Sequence, residues 1–87
     1  MSAPPRVTIY AKPGCHLCDE MKALVARVAV RVPLTLEEVD VTRDPALLAE
    51  YGEQIPVLFI DGRKAAKHRI DERALERRLT ERGWFSW

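Results

Sequence analysis

The sequence predicts an α/β fold with a four-stranded mixed sheet and the element order β-α-β-α-β-β-α. Strand-like apolar runs alternate with segments of helical periodicity, and an Asp61-Gly62 pair predicts a hairpin late in the chain. A βαβ unit makes its two strands parallel and a hairpin makes its strands antiparallel, so the sheet should contain both kinds of pairing. A chain of 87 residues is long enough for one small core. We therefore expect a single domain over residues 1–87.

The first half of the chain is predicted to form the βαβ unit. Residues 1–5 are expected to be a loose N-terminal segment, and Arg6 to Ala11 is predicted to be a strand that is too apolar for solvation on both faces. The helix that follows is expected to end near Arg31, ahead of Pro33. Its apolar residues recur three and four positions apart and predict one buried face: Leu17, Met21, Leu24, Val25 and Val28. Leu34 to Val41 is the second predicted strand.

Two further helices are predicted in the second half. Asp44 followed by Pro45 is typical of a helix start, because the aspartate accepts from backbone N–H groups and proline tolerates the first helical position. This short helix should stop at Gly52. The last helix is expected to begin after Asp71 and to stop at Gly83.

A β-hairpin is predicted between these two helices. The apolar run from Ile55 to Ile60 is typical of a buried strand. Asp61-Gly62 favours a two-residue type I′ turn, in which both positions have positive φ. Arg63 to His68 should therefore return antiparallel to the preceding strand.

Cys15 and Cys18 are the only cysteines in the chain. They follow the first predicted strand and the turn Lys12-Pro13-Gly14, and they open the first predicted helix. A thiol in the first turn of a helix faces unsatisfied N–H groups and the positive end of the helix dipole, so a thiol with an ordinary pKa of about 8.5 can ionise near neutrality. The spacing places the second sulfur one turn away on the same face. The pattern favours a reversible dithiol.

Three alternatives to a reversible dithiol remain open for this pair. Half of a zinc site is one, but His16 and His68 are the only histidines, and His16 lies between the cysteines, where its backbone restricts its reach. A structural disulfide closing so short a loop would constrain the unfolded chain little. The third is a chance meeting of two ordinary buried cysteines. We expect neither a metal nor an organic cofactor at the pair.

Composition and charge argue against several classes of function. Hydrophobic residues make up 47% and charged residues 31%, which is ordinary for a globular domain. No apolar run is long enough for a membrane span, and residues 1–5 lack a signal-peptide pattern, so we expect a cytoplasmic protein that binds no membrane. Residues 63–82 are basic but interrupted by acidic residues, which favours a solvated helix face over nucleic-acid binding. The interrupting residues are Asp71, Glu72, Glu76 and Glu81.

The aromatic C-terminal tail, residues 83–87, holds Trp84, Phe85 and Trp87. Such a tail is expected to pack over a groove of its own domain. The alternative is that it anchors a partner or a dimer. We expect a monomer.

The predicted element order and three sequence motifs resemble the thioredoxin fold, and the short length is closest to the glutaredoxins. The motifs are Gly14-Cys15-His16-Leu17-Cys18, Ile55-Pro56-Val57-Leu58 and Asp61-Gly62. In this wording they are similar to small glutaredoxin-like proteins that are often grouped as a family of uncertain function. The resemblance covers about residues 6–82. It implies a thioredoxin-like fold of the glutaredoxin type.

Carried over residue by residue, the resemblance implies that Cys15 is the nucleophile and Cys18 the resolving thiol. Pro56 matches the cis-proline that faces the CxxC in this fold, and the cis bond would turn the backbone groups of Ile55 toward a substrate. There they would pair with an extended peptide or a thiol substrate as a short β-ladder. Lys12 matches a basic residue that would stabilise a thiolate or a substrate carboxylate, with a solvated loop lysine as the alternative.

The two histidines and one departure from the family pattern complete the candidate site. His16 is predicted to tune the cysteine pair through its ring, with simple exposure as the alternative. His68 is predicted to be an exposed strand residue without function. Glutaredoxins that bind glutathione usually carry a Gly-Gly pair after the fourth strand, whereas this chain has Lys67-His68-Arg69-Ile70-Asp71 there. Because the glycines are missing, we expect weak use of glutathione.

The residues and the resemblance together predict a glutaredoxin-like thiol–disulfide oxidoreductase with a dithiol mechanism. Its partners would be a disulfide-containing protein or a small thiol substrate, together with an external thiol reductant. The alternative is a thioredoxin-fold binding module that carries a metal or an iron–sulfur cluster on its cysteines.

Overall fold

The computed structural model describes residues 3–81 and has the predicted order of elements. The elements are β1 Arg6–Ala11, α1 His16–Ala29, β2 Thr35–Asp40, α2 Pro45–Tyr51, β3 Val57–Ile60, β4 Arg63–Lys67 and α3 Glu72–Glu81. A short 3-10 turn, Val41–Arg43, joins β2 to α2 and was not predicted. The expected stop at Gly83 and the aromatic C-terminal tail lie outside the described residues.

The four strands form one mixed sheet in the order β2-β1-β3-β4. β1 is parallel to β2, whereas β3 is antiparallel to both β1 and β4. The predicted four-stranded mixed sheet is therefore confirmed. In the register, Tyr10 lies opposite Val57, and Val57 lies opposite Lys67. The end of β1, the start of β3 and the end of β4 consequently lie side by side at one end of the sheet.

Local signals lie at the predicted starts of α2 and α3 and at the predicted hairpin turn, whereas the ends of α1, β2 and β4 differ from the prediction by one or two residues. The Asp44 carboxylate accepts from the Ala46 amide at 2.9 Å and caps α2. The Asp71 carboxylate accepts from the Ala74 amide at 2.7 Å at the start of α3. In the hairpin turn, Asp61 has φ 51° and Gly62 has φ 84°, which are the positive values that a type I′ turn requires.

One face of the sheet carries the core. Val7 and Ile9 of β1 lie opposite Ile60 and Leu58 of β3, and the four side chains belong to one buried cluster. The buried residues of α1 and α3 complete that cluster: Cys18, Met21, Leu24, Val25, Val28, Leu75 and Leu79. The helical periodicity predicted the buried face of α1, except that Leu17 is only half-buried. The first turn of α1 therefore anchors Cys18 directly in the core.

Aromatic side chains cover the other face. Tyr10 and Phe59 have ring centroids 5.1 Å apart, and Tyr51 of α2 lies 4.8 Å from Tyr10 and 6.0 Å from Phe59. Partial burial raises the pKa of the Tyr51 hydroxyl. None of the helices described between residues 3 and 81 is long and apolar enough to cross a membrane.

Candidate active site

Cys15 caps the start of α1 and forms a disulfide with Cys18. Gly14, at φ 77°, turns the chain from the end of β1 into the helix, in a conformation that glycine adopts without steric cost. The Cys15 sulfur accepts from the Cys18 amide at 3.1 Å, and the Cys15 carbonyl accepts from the Asp19 amide at 3.1 Å. The Cα atoms of the pair are 5.2 Å apart. The expected proximity of the two sulfurs on one helix face is confirmed.

The two cysteines differ in burial. Cys18 is 1% exposed and belongs to the core cluster. Cys15 is half-buried and packs against the edge of that cluster. Cys15 is therefore the more exposed residue of the pair.

The sheet register brings Ile55 and Pro56 to the same end of the sheet as the cysteines. Pro56 immediately precedes Val57, which lies opposite Tyr10 near the end of β1. Both residues are buried, and Ile55 shares the core cluster with Cys18. The Ile55–Pro56 peptide bond is cis. The carbonyl of Pro56 accepts from the His68 amide at 2.7 Å, which ties this segment to the end of β4.

Lys12 and His16 lie near the cysteines but face solvent. Lys12 is exposed and lines a small cavity of about 110 Å³ together with residues of α1 and β2. The His16 side chain is 86% exposed, and its Nε2 lies 2.8 Å from a carboxylate oxygen of Glu20, one turn further along α1. The structure thus pairs His16 with Glu20.

Charged groups beside this small cavity are paired with one another. The Lys22 Nζ atom of α1 lies 2.9 Å from Oε2 of Glu38 in β2 and 3.4 Å from Oδ1 of Asp19. The hydrogen bond to Glu38 raises the pKa of the Lys22 ammonium. Asp40 accepts from the Thr42 hydroxyl at 2.6 Å, and this bond lowers the pKa of its carboxyl group. Within residues 3–81 no three His, Cys, Asp or Glu side chains are grouped as metal ligands.

His68 is exposed, as predicted, but it lies one residue beyond the strand in which it was expected. β4 ends at Lys67, and His68 lies in a turn with φ 67°, closed by a hydrogen bond from the Arg69 amide to the Lys67 carbonyl at 2.7 Å. Its ring Nε2 lies 3.3 Å from the carbonyl oxygen of Glu53. The strand prediction was wrong at this residue because the residue pattern along β4 does not indicate that the backbone turns to a positive φ at His68.

A groove of about 740 Å³ runs between α1 and residues 68–74, and sequence reasoning missed it. Its apolar lining includes Leu17, Met21, Leu24 and Ile70. At its rim, Arg69 lies 3.9 Å from Glu20. The groove forms where two segments that are far apart in the sequence pack together, so no local sequence motif predicts it.

Comparison with known proteins agrees with this geometry. The sequence model of the glutaredoxin-like domain (DUF836) matches residues 6–80. A glutaredoxin-like protein of Dictyostelium discoideum is 31% identical over 72 residues, which cover 76% of this chain and 67% of that protein. The X-ray structure of a structural genomics target protein from X. campestris is 29% identical with a TM-score of 0.73, covering 85% of this chain and 95% of that one.

Thioredoxins share the fold. A mutant thioredoxin from Halobacterium salinarum superposes with a TM-score of 0.62 at 25% identity, covering 87% of this chain and 72% of that one. The fold is thioredoxin-like, and the CxxC pair lies at the start of α1 within it. Because the family model spans nearly all of the described residues, the chain belongs to the glutaredoxin-like domain family.

Proposed function

We propose that the protein is a thiol–disulfide oxidoreductase in which Cys15 is the nucleophile and Cys18 the resolving thiol. The observation that carries the proposal is the unequal burial of a disulfide-bonded pair at a helix start: Cys15 half-buried, Cys18 1% exposed. The family and the fold support thiol-based redox chemistry in general.

The reaction has two exchange steps. The Cys18 amide and the start of α1 favour the thiolate form of Cys15 in the reduced protein. This thiolate attacks one sulfur of a substrate disulfide, so that a Cys15–substrate bond forms while the substrate bond breaks and its other sulfur leaves and takes up a proton. The Cys18 thiol then loses its proton and attacks the Cys15 sulfur, which restores the Cys15–Cys18 bond and releases the reduced substrate.

Two electrons from an external thiol reductant return the pair to the dithiol. The substrate is a protein or a small molecule that carries a disulfide. In this proposal the backbone of Ile55, held by Pro56, pairs with the substrate chain beside the sulfur under attack. The Lys12 ammonium stabilises the thiolate or a substrate carboxylate. The His16 ring, paired with Glu20, tunes the reactivity of the cysteine pair.

The test is the reduction of insulin disulfides with dithiothreitol as the reductant. The wild type should accelerate this reaction, and Cys15→Ser should fall to the uncatalysed rate because no thiolate is left to attack. Reduced Cys18→Ser, mixed with insulin after dithiothreitol is removed, should accumulate a mixed disulfide with the substrate, which mass spectrometry detects as added mass. Ala26→Ser, an exposed substitution in α1, is the matched control and should keep wild-type activity.

Two outcomes would contradict the proposal. Full activity of Cys15→Ser would remove Cys15 as the nucleophile. A wild type that fails to reduce disulfides and instead purifies as a coloured dimer would favour the metal or iron–sulfur carrier.

A further inference from the structure

The segment of residues 53–56, which contains Ile55, is held by side chains from the β4 side of the molecule. The Lys64 ammonium donates to the side-chain oxygen of Gln54 at 2.8 Å. The His68 ring nitrogen Nε2 lies 3.3 Å from the Glu53 carbonyl oxygen, and the His68 amide donates to the Pro56 carbonyl at 2.7 Å. His68 therefore contacts this segment at both ends, on either side of Ile55.

The ring contact can be a hydrogen bond in one direction only. Because a carbonyl oxygen accepts, a hydrogen bond here requires the proton on Nε2 of His68, which then donates to Glu53. Both the neutral ring with its proton on Nε2 and the charged ring satisfy this requirement. The contact joins residues 15 positions apart in the sequence, and therefore constrains tertiary structure rather than local conformation.

The backbone conformation of His68 is a second observation that bears on its role. Its φ of 67° is a left-handed conformation, which glycine adopts more readily than any residue with a side chain. Histidine is nevertheless among the residue types found there more often than most. At this position, where glycine would fit more readily, the chain thus carries a side chain whose ring reaches Glu53.

We propose that His68 is a positioning residue for disulfide exchange. Its ring and its amide fix residues 53–56, and thereby hold the Ile55 backbone in register with a substrate chain bound at Cys15. The inference rests on the proposed function and names a residue to which the sequence pattern assigned no role. It implies that the turn after β4 takes part in substrate binding through the segment that it holds.

The experiment compares wild type, His68→Gly and His68→Gln in the insulin assay. Glycine suits the left-handed φ and keeps the amide donor to Pro56, so this variant removes the side chain and leaves that backbone hydrogen bond in place. We expect a KM several-fold above wild type with kcat unchanged, because the substrate meets a looser pairing segment. Glutamine places an amide N–H at a reach similar to that of ring Nε2, and should bring KM back toward the wild-type value.

Two further measurements separate positioning from general loosening. The rate at which iodoacetamide alkylates Cys15 should stay at the wild-type value in His68→Gly, since the thiolate is untouched. Amide hydrogen exchange of residues 53–55 should become faster in that variant and return to normal in His68→Gln. Ala29→Gly, at the exposed end of α1 and away from the cysteines, is the control for a looser chain and should leave KM unchanged.

The outcomes that would overturn the inference are distinct. An unchanged KM in His68→Gly, with or without faster exchange, would leave His68 a structural role at most. A KM raised equally in the Gly and Gln variants would refute the hydrogen bond as the cause. A wild type inactive in the assay would overturn the proposed function and this inference together, whereas an active wild type beside an unaffected His68→Gly would overturn the inference alone.

Discussion

Cys15 is more exposed to solvent than Cys18 because the two residues occupy different positions relative to α1. Cys15 is the N-cap residue, outside the first helical turn, whereas Cys18 lies on the buried face of the helix. The spacing of three keeps the two residues on one face of the helix, and the N-cap position leaves Cys15 half-buried while Cys18 is buried. In the proposed function, this placement makes Cys15 the attacking thiol and Cys18 the resolving thiol.

The first prediction concerns the order of alkylation. In the reduced protein, iodoacetamide at neutral pH should modify Cys15 well before Cys18, because Cys15 is half-buried at the helix start and Cys18 is only 1% exposed. Peptide mapping by mass spectrometry at successive times measures the order. Cys15→Ser is the control, and its remaining thiol should react slowly. Faster labelling of Cys18 would reverse the assigned roles.

A second residue-scale prediction concerns glutathione. Asp71 already accepts from the Ala74 amide at the start of α3, and the Arg69 guanidinium lies 3.9 Å from Glu20. These groups are engaged with the protein, and the Gly-Gly pair of glutathione-dependent relatives is absent. Each lost hydrogen bond to a carboxylate lowers affinity about tenfold.

We therefore expect turnover of a glutathione mixed disulfide to lie at least about tenfold below that of a glutathione-dependent glutaredoxin measured beside it. The hydroxyethyl disulfide assay with glutathione as the donor measures this difference. Equal rates would show that Lys67 or another cation near the turn replaces the missing glycines.

At the scale of elements, a cluster of ion pairs joins α1 and the residues just after it to α3. The Arg31 guanidinium lies 2.6 Å from Glu72 and 2.9 Å from Glu76, and Arg27 lies 3.4 Å from Glu72. Hydrogen bonds from Arg31 and then Arg27 lower the pKa of the Glu72 carboxyl group. The carboxylates stand near the start of α3, where negative charge also suits the helix dipole.

The third prediction follows from the sign of this shift. A carboxyl group with a lowered pKa in the folded state stabilises the fold above its ordinary pKa of 4.5, and this contribution is lost as the pH falls through the lower folded value. Glu72→Gln should lower the melting temperature by a few degrees at pH 7. The gap between the variant and the wild type should close as the pH falls below 4.5.

Circular dichroism melts across this pH range measure the effect of Glu72→Gln. Glu37→Gln, an exposed substitution in β2, is the matched control and should melt like the wild type at each pH. Added salt should narrow the difference at pH 7, because these ion pairs are solvent-exposed. A gap that persists in acid would assign the effect to something other than the Glu72 charge.

At the scale of the whole molecule, one buried cluster joins the sheet to α1 and α3. Leu75 of α3, Leu58 of β3 and Val25 of α1 are all fully buried within it. No polar or charged residue among those described is buried. The fold of residues 3–81 therefore depends on apolar packing across elements that are far apart in the sequence.

The fourth prediction tests this dependence. Leu75→Ala should lower the free energy of unfolding by about 2–5 kcal/mol, because it removes a fully buried side chain and leaves a cavity between α3 and the sheet. Leu48→Ala, at a leucine that is 44% exposed, should change it by less than about 0.5 kcal/mol. Urea denaturation followed by circular dichroism measures both, and equal losses would contradict the assignment of the core.

The sequence by itself determined the order of the elements and the place of the cysteines. Asp44, Asp71 and the Asp61-Gly62 turn act on backbone groups within a few residues, so their effects were readable without knowledge of the fold. The apolar period of α1 likewise predicted its buried face. The same local signals placed Cys15 at a helix start, which is why the position of the pair in the fold was predictable.

The resemblance had already implied that Pro56 faces the cysteines, but only the tertiary structure showed that His68 contacts the segment around it. The antiparallel register of β1, β3 and β4 brings residues 53–56 and His68 to the end of the sheet where Cys15 lies. The ion pairs of Arg31 and the groove between α1 and residues 68–74 also join segments about 40 residues or more apart. Such contacts depend on how whole elements pack, and a hydrogen bond from a histidine ring to a distant carbonyl leaves no pattern in the residues around either partner.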